Sequence, residues 1–467
     1  MNYDFVILGG GSAGYAAART ATDLGLRTAV IEGGEEIAGL CILRGCMPSK
    51  TLIESAQRYR TLRRAQEFGL RAEGIAWSGR DLIARKKRLV AEFASDRRNQ
   101  LEAGKFTFLR GKASFRDAHT ISVHLMDGST TEITAPTFLI ATGSVIRHPP
   151  IPGLAESNSL TSDDLLNLEQ PPTSMIVLGA GPVALELAHY LEALGTKVVI
   201  IQRGKQFLTG IDSDAAEVIQ KAGEKRGIRS YVDTEILEIC VEADGSKTVC
   251  FKKDGKVIRE NAEEIFNALG RNAAVAGLEL DSAGVKLKNG RIDITPTQQT
   301  SVPHIFAAGD VSGPHEIVHI AIQQGEISAR NVSRLLSGST ALEKIDSRIL
   351  LYVVFTEPEA AFVGLSEKEA HKQGVPFIAA RHGFDDHGKS IVMGETEGFV
   401  KLLAAPDSKE ILGGAVVGPH ASDLIHEVAV ALYFRATVSQ LAMIPHYHPT
   451  LSEIWSYPAE KLTTLTS

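Results

Sequence analysis

Apolar residues follow two rhythms along this chain. Short, nearly unbroken apolar runs such as DFVIL (4–8) and MIVLG (175–179) predict strands buried on both faces. Each run leads through a glycine turn into a helical stretch, which is Ala-rich and covers 12–24 in the first case. A second buried strand then follows, at 27–31 and at 197–201. The strand–turn–helix–strand pattern therefore occurs twice in one chain.

Elsewhere the rhythm changes. Residues 51–105 carry helical spacing, starting with Leu52, Ile53, Ala56, Tyr59 and Leu62, and the charged run at 85–102 reads as a solvated helix face. Residues 106–140 alternate in short strands with turns such as Asp127-Gly128, and Phe138 begins a strand that enters the small-residue turn ending at Ser144. The proline-rich RHPPIPG at 147–153 marks a boundary. Residues 206–265 continue with helix and strands and place Cys240 and Cys250 in strand-like runs, as ordinary core or strand cysteines. Small-residue turns return at Gly270-Arg271 and at Gly309-Asp310. From about 340, strands through Val353, Phe355, Ala361 and Val363 and over 398–417 alternate with helices at 366–373 and 421–435, which predicts a separate α+β region. The expected domains are 1–150 with 266–338, then 151–265, then 339–467.

The glycine turns carry the first chemical signal. Gly9-Gly10-Gly11-Ser12-Ala13-Gly14 fits G-x-G-x-x-G, and the next strand runs into Glu32. Glycines at 9, 11 and 14 let backbone N–H groups approach a pyrophosphate at the helix N-terminus, and the carboxylate accepts hydrogen bonds from a ribose. The second unit reads Gly179-Ala180-Gly181-Pro182-Val183-Ala184, and its closing strand ends in Gln202-Arg203-Gly204-Lys205. No acid stands there. Arg203 and Lys205 suit a 2′-phosphate, or form an ordinary basic surface turn. Two such units imply two nucleotide-type ligands. Asp310 either accepts from a ligand's hydroxyls or caps a following helix.

Composition narrows the setting. A chain of 467 residues is long enough for two or three domains, and a net charge of −7 argues against general nucleic-acid binding. The opening segment lacks a basic n-region, and no later stretch reaches about 18 apolar residues, so a cytoplasmic protein without membrane contact is expected. Four cysteines are too few for a disulfide framework.

Two of those cysteines, Cys41 and Cys46, lie in EGGEEIAGLCILRGCMPSK (32–50), at the front of a helical stretch. A helix N-terminus favours the thiolate, and close spacing permits an S–S bond. On their own they read as a redox pair, as buried structural cysteines or as a two-thiol metal site. Two nucleotide ligands favour the first reading: a hydride carries two electrons, a disulfide accepts two, and a flavin can stand between them. Thiol–disulfide exchange also needs a proton carrier. His448 or its neighbour His446 is the candidate base, with Glu453 to orient it; alternatively Thr450 and Glu453 form a capping box.

In this order the motifs resemble the FAD-dependent pyridine nucleotide–disulfide oxidoreductases over essentially the whole chain. The family includes dihydrolipoamide dehydrogenase, glutathione reductase and mercuric reductase. The resemblance rests on 9–14 with Glu32; CILRGCMPSK at 41–50; Ala141-Thr142-Gly143-Ser144; 179–186 followed by Ala307-Ala308-Gly309-Asp310; and His448-Pro449-Thr450-Leu451-Ser452-Glu453. It implies an α/β fold with two Rossmann-like nucleotide-binding domains, for FAD and NAD(P), and a C-terminal α+β dimerisation domain. It implies Cys41 as the thiol that meets substrate, Cys46 as the thiol beside the flavin, and Lys50 near the flavin N5 and paired with Glu186. The cofactor-binding positions are then Gly9, Gly11, Ser12, Gly14, Glu32 on the adenosine ribose, Lys50, Thr142, Gly143, Gly179, Gly181, Arg203, Gly270, Gly309 and Asp310 on the ribityl chain. His448 and Glu453 would serve the partner's active site in an obligate homodimer.

The likeness is greatest to the dihydrolipoamide dehydrogenase branch, so a lipoyl or small-molecule disulfide or dithiol is the expected substrate. The alternatives are an NADPH-dependent, glutathione reductase-like enzyme and a diaphorase-like quinone or metal reductase. Several positions depart from the family pattern. Leu40 replaces a threonine, Arg44 takes a small or apolar position, and Pro182 stands where glutathione reductases carry a tyrosine. Arg203 favours NADPH over NADH. No cysteine follows Cys250, which argues against mercury reduction, and no bound metal is expected.

Overall fold

The structure, a computed structural model, describes residues 3–465. The chain forms two compact units: one comprises the chain up to Ser49, 84–147 and 270–345, and the other comprises 50–83, 148–269 and the chain from Asp346 onward.

The first unit is built on a seven-stranded sheet, in the order Ile305–Ala307, Phe138–Ile140, Phe5–Leu8, Thr28–Glu32, Thr107–Asp117, Thr120–Leu125, Thr130–Thr134. The first five run parallel and the last two pair antiparallel. The run at 5–8 is apolar throughout because both faces are covered. Phe5 and Ile7 pack among Ala13, Ala17 and Ala21 of the helix Ser12–Asp23, whereas Val6 and Leu8 pack among Phe115, Ile121 and Val123. Burying each of these large side chains stabilises the unit by about 1.5–3 kcal/mol. The helix Val318–Leu336 lies close to the same helix: a Cβ at Gly325 would fall 2.2 Å from the Ala13 carbonyl oxygen.

The second unit holds a four-stranded parallel sheet, Arg229–Tyr231, Lys197–Ile201, Ser174–Leu178, Glu264–Asn267. The helix Pro182–Ala193 follows its glycine turn, and Pro182 starts that helix at no loss, since the first-turn N–H has no helical partner. Three antiparallel strands, Glu235–Val241, Lys247–Lys253 and Lys256–Ala262, contain Cys240 and Cys250. From Leu351 a five-stranded antiparallel sheet carries the helix Ala421–Tyr433. The architecture is α/β with an α+β C-terminal region, as the patterning predicts.

Two local differences have physical causes. The helical spacing over 51–105 is interrupted: Cys46–Arg63 and Gly79–Glu102 are separate helices, with Gly69 and Gly74 at positive φ between them. The strand Ile378–Gly383 and the short helix Gly388–Met393 have no counterpart in the sequence reading, since this strand is only partly buried and lacks a clear alternation. Among the described residues no helix is long and apolar enough to cross a membrane.

Candidate active site

In the first unit the glycine turn is forced by close approach. Gly9 sits at φ +106°, and a Cβ there would lie 2.3 Å from the Ala141 carbonyl oxygen. A Cβ at Gly14 would lie 1.8 Å from the Gly9 carbonyl oxygen. The turn opens into a cavity of about 550 Å³ lined by Gly9, Gly11, Ser12, Glu32, Thr142, Gly143, Gly309, Asp310, Cys41 and Cys46. Glu32 is oriented before any ligand arrives: Gly10 N–H donates to Oε2 at 2.8 Å and Gly34 N–H to Oε1 at 2.7 Å. A carboxylate has lone pairs for further donors.

The cysteine segment reaches the cavity through Gly39, at φ +79°, where a Cβ would come within 2.7 Å of Gly11 Cα. A single helical turn, Leu40–Leu43, precedes the helix Cys46–Arg63, and both cysteines are half-buried. Leu40 contributes an apolar wall where the resemblance expects a hydroxyl. Arg44 is half-exposed and also meets an acid on the cavity wall, pairing with Glu36 at 3.1 Å.

Asp310 does not cap a helix, because the next one begins only at Val318. Its Oδ2 accepts from Ser144 Oγ at 2.6 Å. Arg271 holds Ser144 through Nε to Oγ (2.7 Å) and Nη2 to the carbonyl (2.9 Å), and Arg291 Nη1 donates to the Asp310 carbonyl at 2.7 Å. Sequence reasoning missed both arginines as supports; Gly270-Arg271 stood out only as a turn. Thr142 Oγ1 donates to the Ala274 carbonyl at 2.8 Å, and Gly143, Gly270 and Gly309 take positive φ.

In the second unit Gly179 repeats the tight turn: φ is +103°, and a Cβ would meet the Ala268 carbonyl oxygen at 2.7 Å. Gly181 caps the helix Pro182–Ala193. Arg203 and Lys205 are exposed just beyond the strand Lys197–Ile201. Lys50 Nζ lies 2.6 Å from Glu186 Oε2 and 4.7 Å from the centre of the Phe355 ring. Phe355 N–H donates to Glu186 Oε1 at 3.1 Å, so both oxygens of this buried carboxylate are engaged.

The terminal histidines separate. His448 Nδ1 lies 3.0 Å from Glu453 Oε2, whereas His446 Nε2 lies 2.7 Å from Glu427 Oε1. His446 therefore has its own acid. The capping box does not form: the 3₁₀ turn Ser452–Trp455 is preceded by Leu451 without a side-chain cap, and Glu453 turns to His448 instead. The His448 ring is 77% exposed, which leaves its Nε2 edge accessible.

Residues 3–325 match the family described as pyridine nucleotide-disulphide oxidoreductase, and 351–458 match the dimerisation domain of that family. The chain belongs to the pyridine nucleotide-disulphide oxidoreductases, enzymes that use FAD and a nicotinamide cofactor. It is 34% identical to dihydrolipoyl dehydrogenase of Bacillus subtilis strain 168 over 462 residues, covering 97% of this chain and 96% of that protein. Dihydrolipoyl dehydrogenase of Mycobacterium tuberculosis strain H37Rv is 34% identical over 461 residues, with 97% and 96% covered. The crystal structure of LpdA from Mycobacterium tuberculosis superposes with a TM-score of 0.87 at 29% identity, over 98% of this chain and 99% of that one. The first-unit cavity fits FAD: Gly9 and Gly14 leave the backbone bare at the turn, and Glu32 and Asp310 are held ready as acceptors for hydroxyls.

Proposed function

We propose that this chain is a homodimeric disulfide oxidoreductase of dihydrolipoamide dehydrogenase type, acting on a lipoyl or related disulfide–dithiol pair. One observation carries the reading: two half-buried cysteines line the same cavity as the glycine turn, Glu32 and Asp310. When bound, FAD supplies a two-electron path between nicotinamide and sulfur. Residues 1–150 with 266–338 form its domain, 151–265 form the NAD(P) domain and 339–467 the dimer domain.

Gly9, Gly11, Ser12 and Gly14 receive the FAD pyrophosphate, Glu32 its adenosine ribose, and Asp310, with Thr142, Gly143, Gly270 and Gly309 shaping the turns, its ribityl side. Lys50, anchored by Glu186, would serve the flavin N5. Gly179, Gly181 and Arg203 receive the nicotinamide cofactor, and the exposed cations at 203 and 205 favour NADPH. Two electrons and two protons convert the disulfide between Cys41 and Cys46 to a dithiol. The Cys41 thiolate attacks one sulfur of the substrate disulfide, and the leaving sulfur takes a proton from His448 of the partner subunit. Cys46 then attacks Cys41 in the mixed disulfide; the second substrate thiol leaves and the internal disulfide returns. Run backwards, the same steps oxidise a dithiol. Glu453 orients His448 through Nδ1, which leaves Nε2 for the proton.

The test is Cys41→Ser, assayed with lipoamide and glutathione disulfide, each with NADH and NADPH, and with a quinone. Disulfide turnover is lost while quinone reduction survives. Undiminished lipoamide turnover in this variant overturns the thiol mechanism and favours a diaphorase-like enzyme.

A further inference from the structure

The contact with His448 engages only one oxygen of Glu453. The other, Oε1, is buried and has no hydrogen-bond partner among the described residues. Facing it at 3.4 Å is Nε2 of His387, a fully buried ring whose Nε2 likewise has no such partner. The separation is slightly longer than a normal N–H···O bond. Two buried polar atoms facing each other across so short a gap are each other's remedy for lost hydration.

The remaining contacts orient the ring. His387 Nδ1 lies 2.8 Å from Oγ of Ser390, which is also fully buried. With the serine hydroxyl donating to Nδ1, the imidazole proton sits on Nε2 and points at Glu453. Phe384 and Tyr457 flank the ring edge-on, both with centroids 6.3 Å away. His382 stacks on Tyr457 at 4.1 Å and meets the Asp386 carbonyl through Nε2 at 3.0 Å. Asp385, Asp386 and Lys389 belong to the same turn, with both aspartates exposed. Burial pushes the His387 imidazole below its ordinary value; the Glu453 carboxylate opposes this, and His382 and His448 add to it. His387 is therefore held neutral beside the acid.

We propose that His387 is a positioning residue for the proton carrier: its Nε2–H bonds to Glu453 Oε1 and keeps Oε2 on His448 Nδ1. The inference rests on the reading of His448 as that carrier. A carboxylate tied at both oxygens cannot rotate away from His448, and because His387 stays uncharged, the anion remains available to stabilise a His448 imidazolium.

The test compares His387→Leu, His387→Gln and His448→Gln in the flavin-loaded dimer, with flavin content and thermal midpoint reporting folding. His387→Leu is expected to lower kcat for the disulfide substrate on the order of tenfold, well short of what a 1 Å misplacement costs. The acidic pKa of its kcat/KM profile falls by about half a unit, because a carboxylate free to rotate stabilises the His448 imidazolium less. His387→Gln, whose amide can still donate, restores both. An unaltered rate and profile in His387→Leu, or no rescue by glutamine, overturns the proposal. Loss of turnover in His448→Gln alongside a normal His387→Leu removes only the His387 role; normal turnover in His448→Gln removes the proton-carrier reading itself. Nitrogen NMR of histidine-labelled protein gives a check independent of turnover. A neutral Nε2–H tautomer for His387, held below the ordinary histidine range and perturbed by Glu453→Gln, supports the bond, and an Nδ1–H tautomer excludes it.

Discussion

In the first unit the helix Ser12–Asp23 comes so near its turn that a methyl on Gly14 would sit 1.8 Å from the Gly9 carbonyl oxygen; in the second, Ala184 fills the same place and is fully buried. The strand ends differ as well. Glu32 is tied to two backbone N–H groups at the wall of a cavity, whereas Arg203 and Lys205 lie exposed. The shared turn supplies backbone donors in both units. On the proposed reading, a cavity wall with a pre-oriented acceptor would suit a cofactor that stays, and an exposed cationic strand end one that comes and goes.

The sharpest way to break this comparison is to exchange the third motif residue. Gly14→Ala is expected to abolish FAD retention, read as the flavin-to-protein ratio after gel filtration. The reverse change, Ala184→Gly, costs only about 0.5–1 kcal/mol in stability and leaves the flavin ratio intact. Equal flavin content in the two variants would erase the distinction.

A smaller effect is expected at the second strand end. Replacing Arg203 and Lys205 with Glu and Ala should raise KM for NADPH about 10- to 100-fold, equivalent to roughly 1.4–2.8 kcal/mol, with no loss of bound FAD. A preference for NADH above about tenfold in the unaltered protein would remove the basis for this reading.

The smallest effect is acid sensitivity of the second helix. His189 is buried there, and its Nδ1 lies 2.9 Å from the Glu357 N–H donor. Burial first, then the nearby Arg226 and Arg60 guanidinium groups, hold its pKa well below the ordinary histidine value. The unfolded chain takes up a proton below about pH 6.5 and the native ring does not, so stability falls as pH drops from there towards the native pKa. The slope from this group is at most about 1.4 kcal/mol per pH unit. Urea unfolding between about pH 5 and 7 should show a flatter dependence in His189→Gln; an unchanged slope would clear His189. The helix Ser12–Asp23 carries no histidine to respond in this way.

Much of the nucleotide architecture was legible because its causes are local. Apolar runs buried on both faces, a turn that only glycine can make, and an acid at the end of the next strand are dictated by neighbouring residues. The strand Ile378–Gly383 was not legible, because a partly buried strand with Arg381 and His382 lacks the apolar signal. Arg271 read as a turn residue, since nothing near it in sequence reveals Ser144, which it holds. Lys50 and Glu186, 136 residues apart, were matched only through family resemblance, and their 2.6 Å contact depends on long-range packing.

The sequence by itself determined two glycine turns, an acidic and a basic strand end, and a pair of cysteines before a helix, because local sterics and periodicity constrain each of them. Only the tertiary structure decided which acid meets which histidine. Glu453 takes His448 and faces His387, while Glu427 takes His446. The contact of His448 with Glu453 joins residues five apart and was anticipated from the sequence; those of His446 with Glu427 and of His387 with Glu453 join segments farther apart, and no spacing along the chain encodes them.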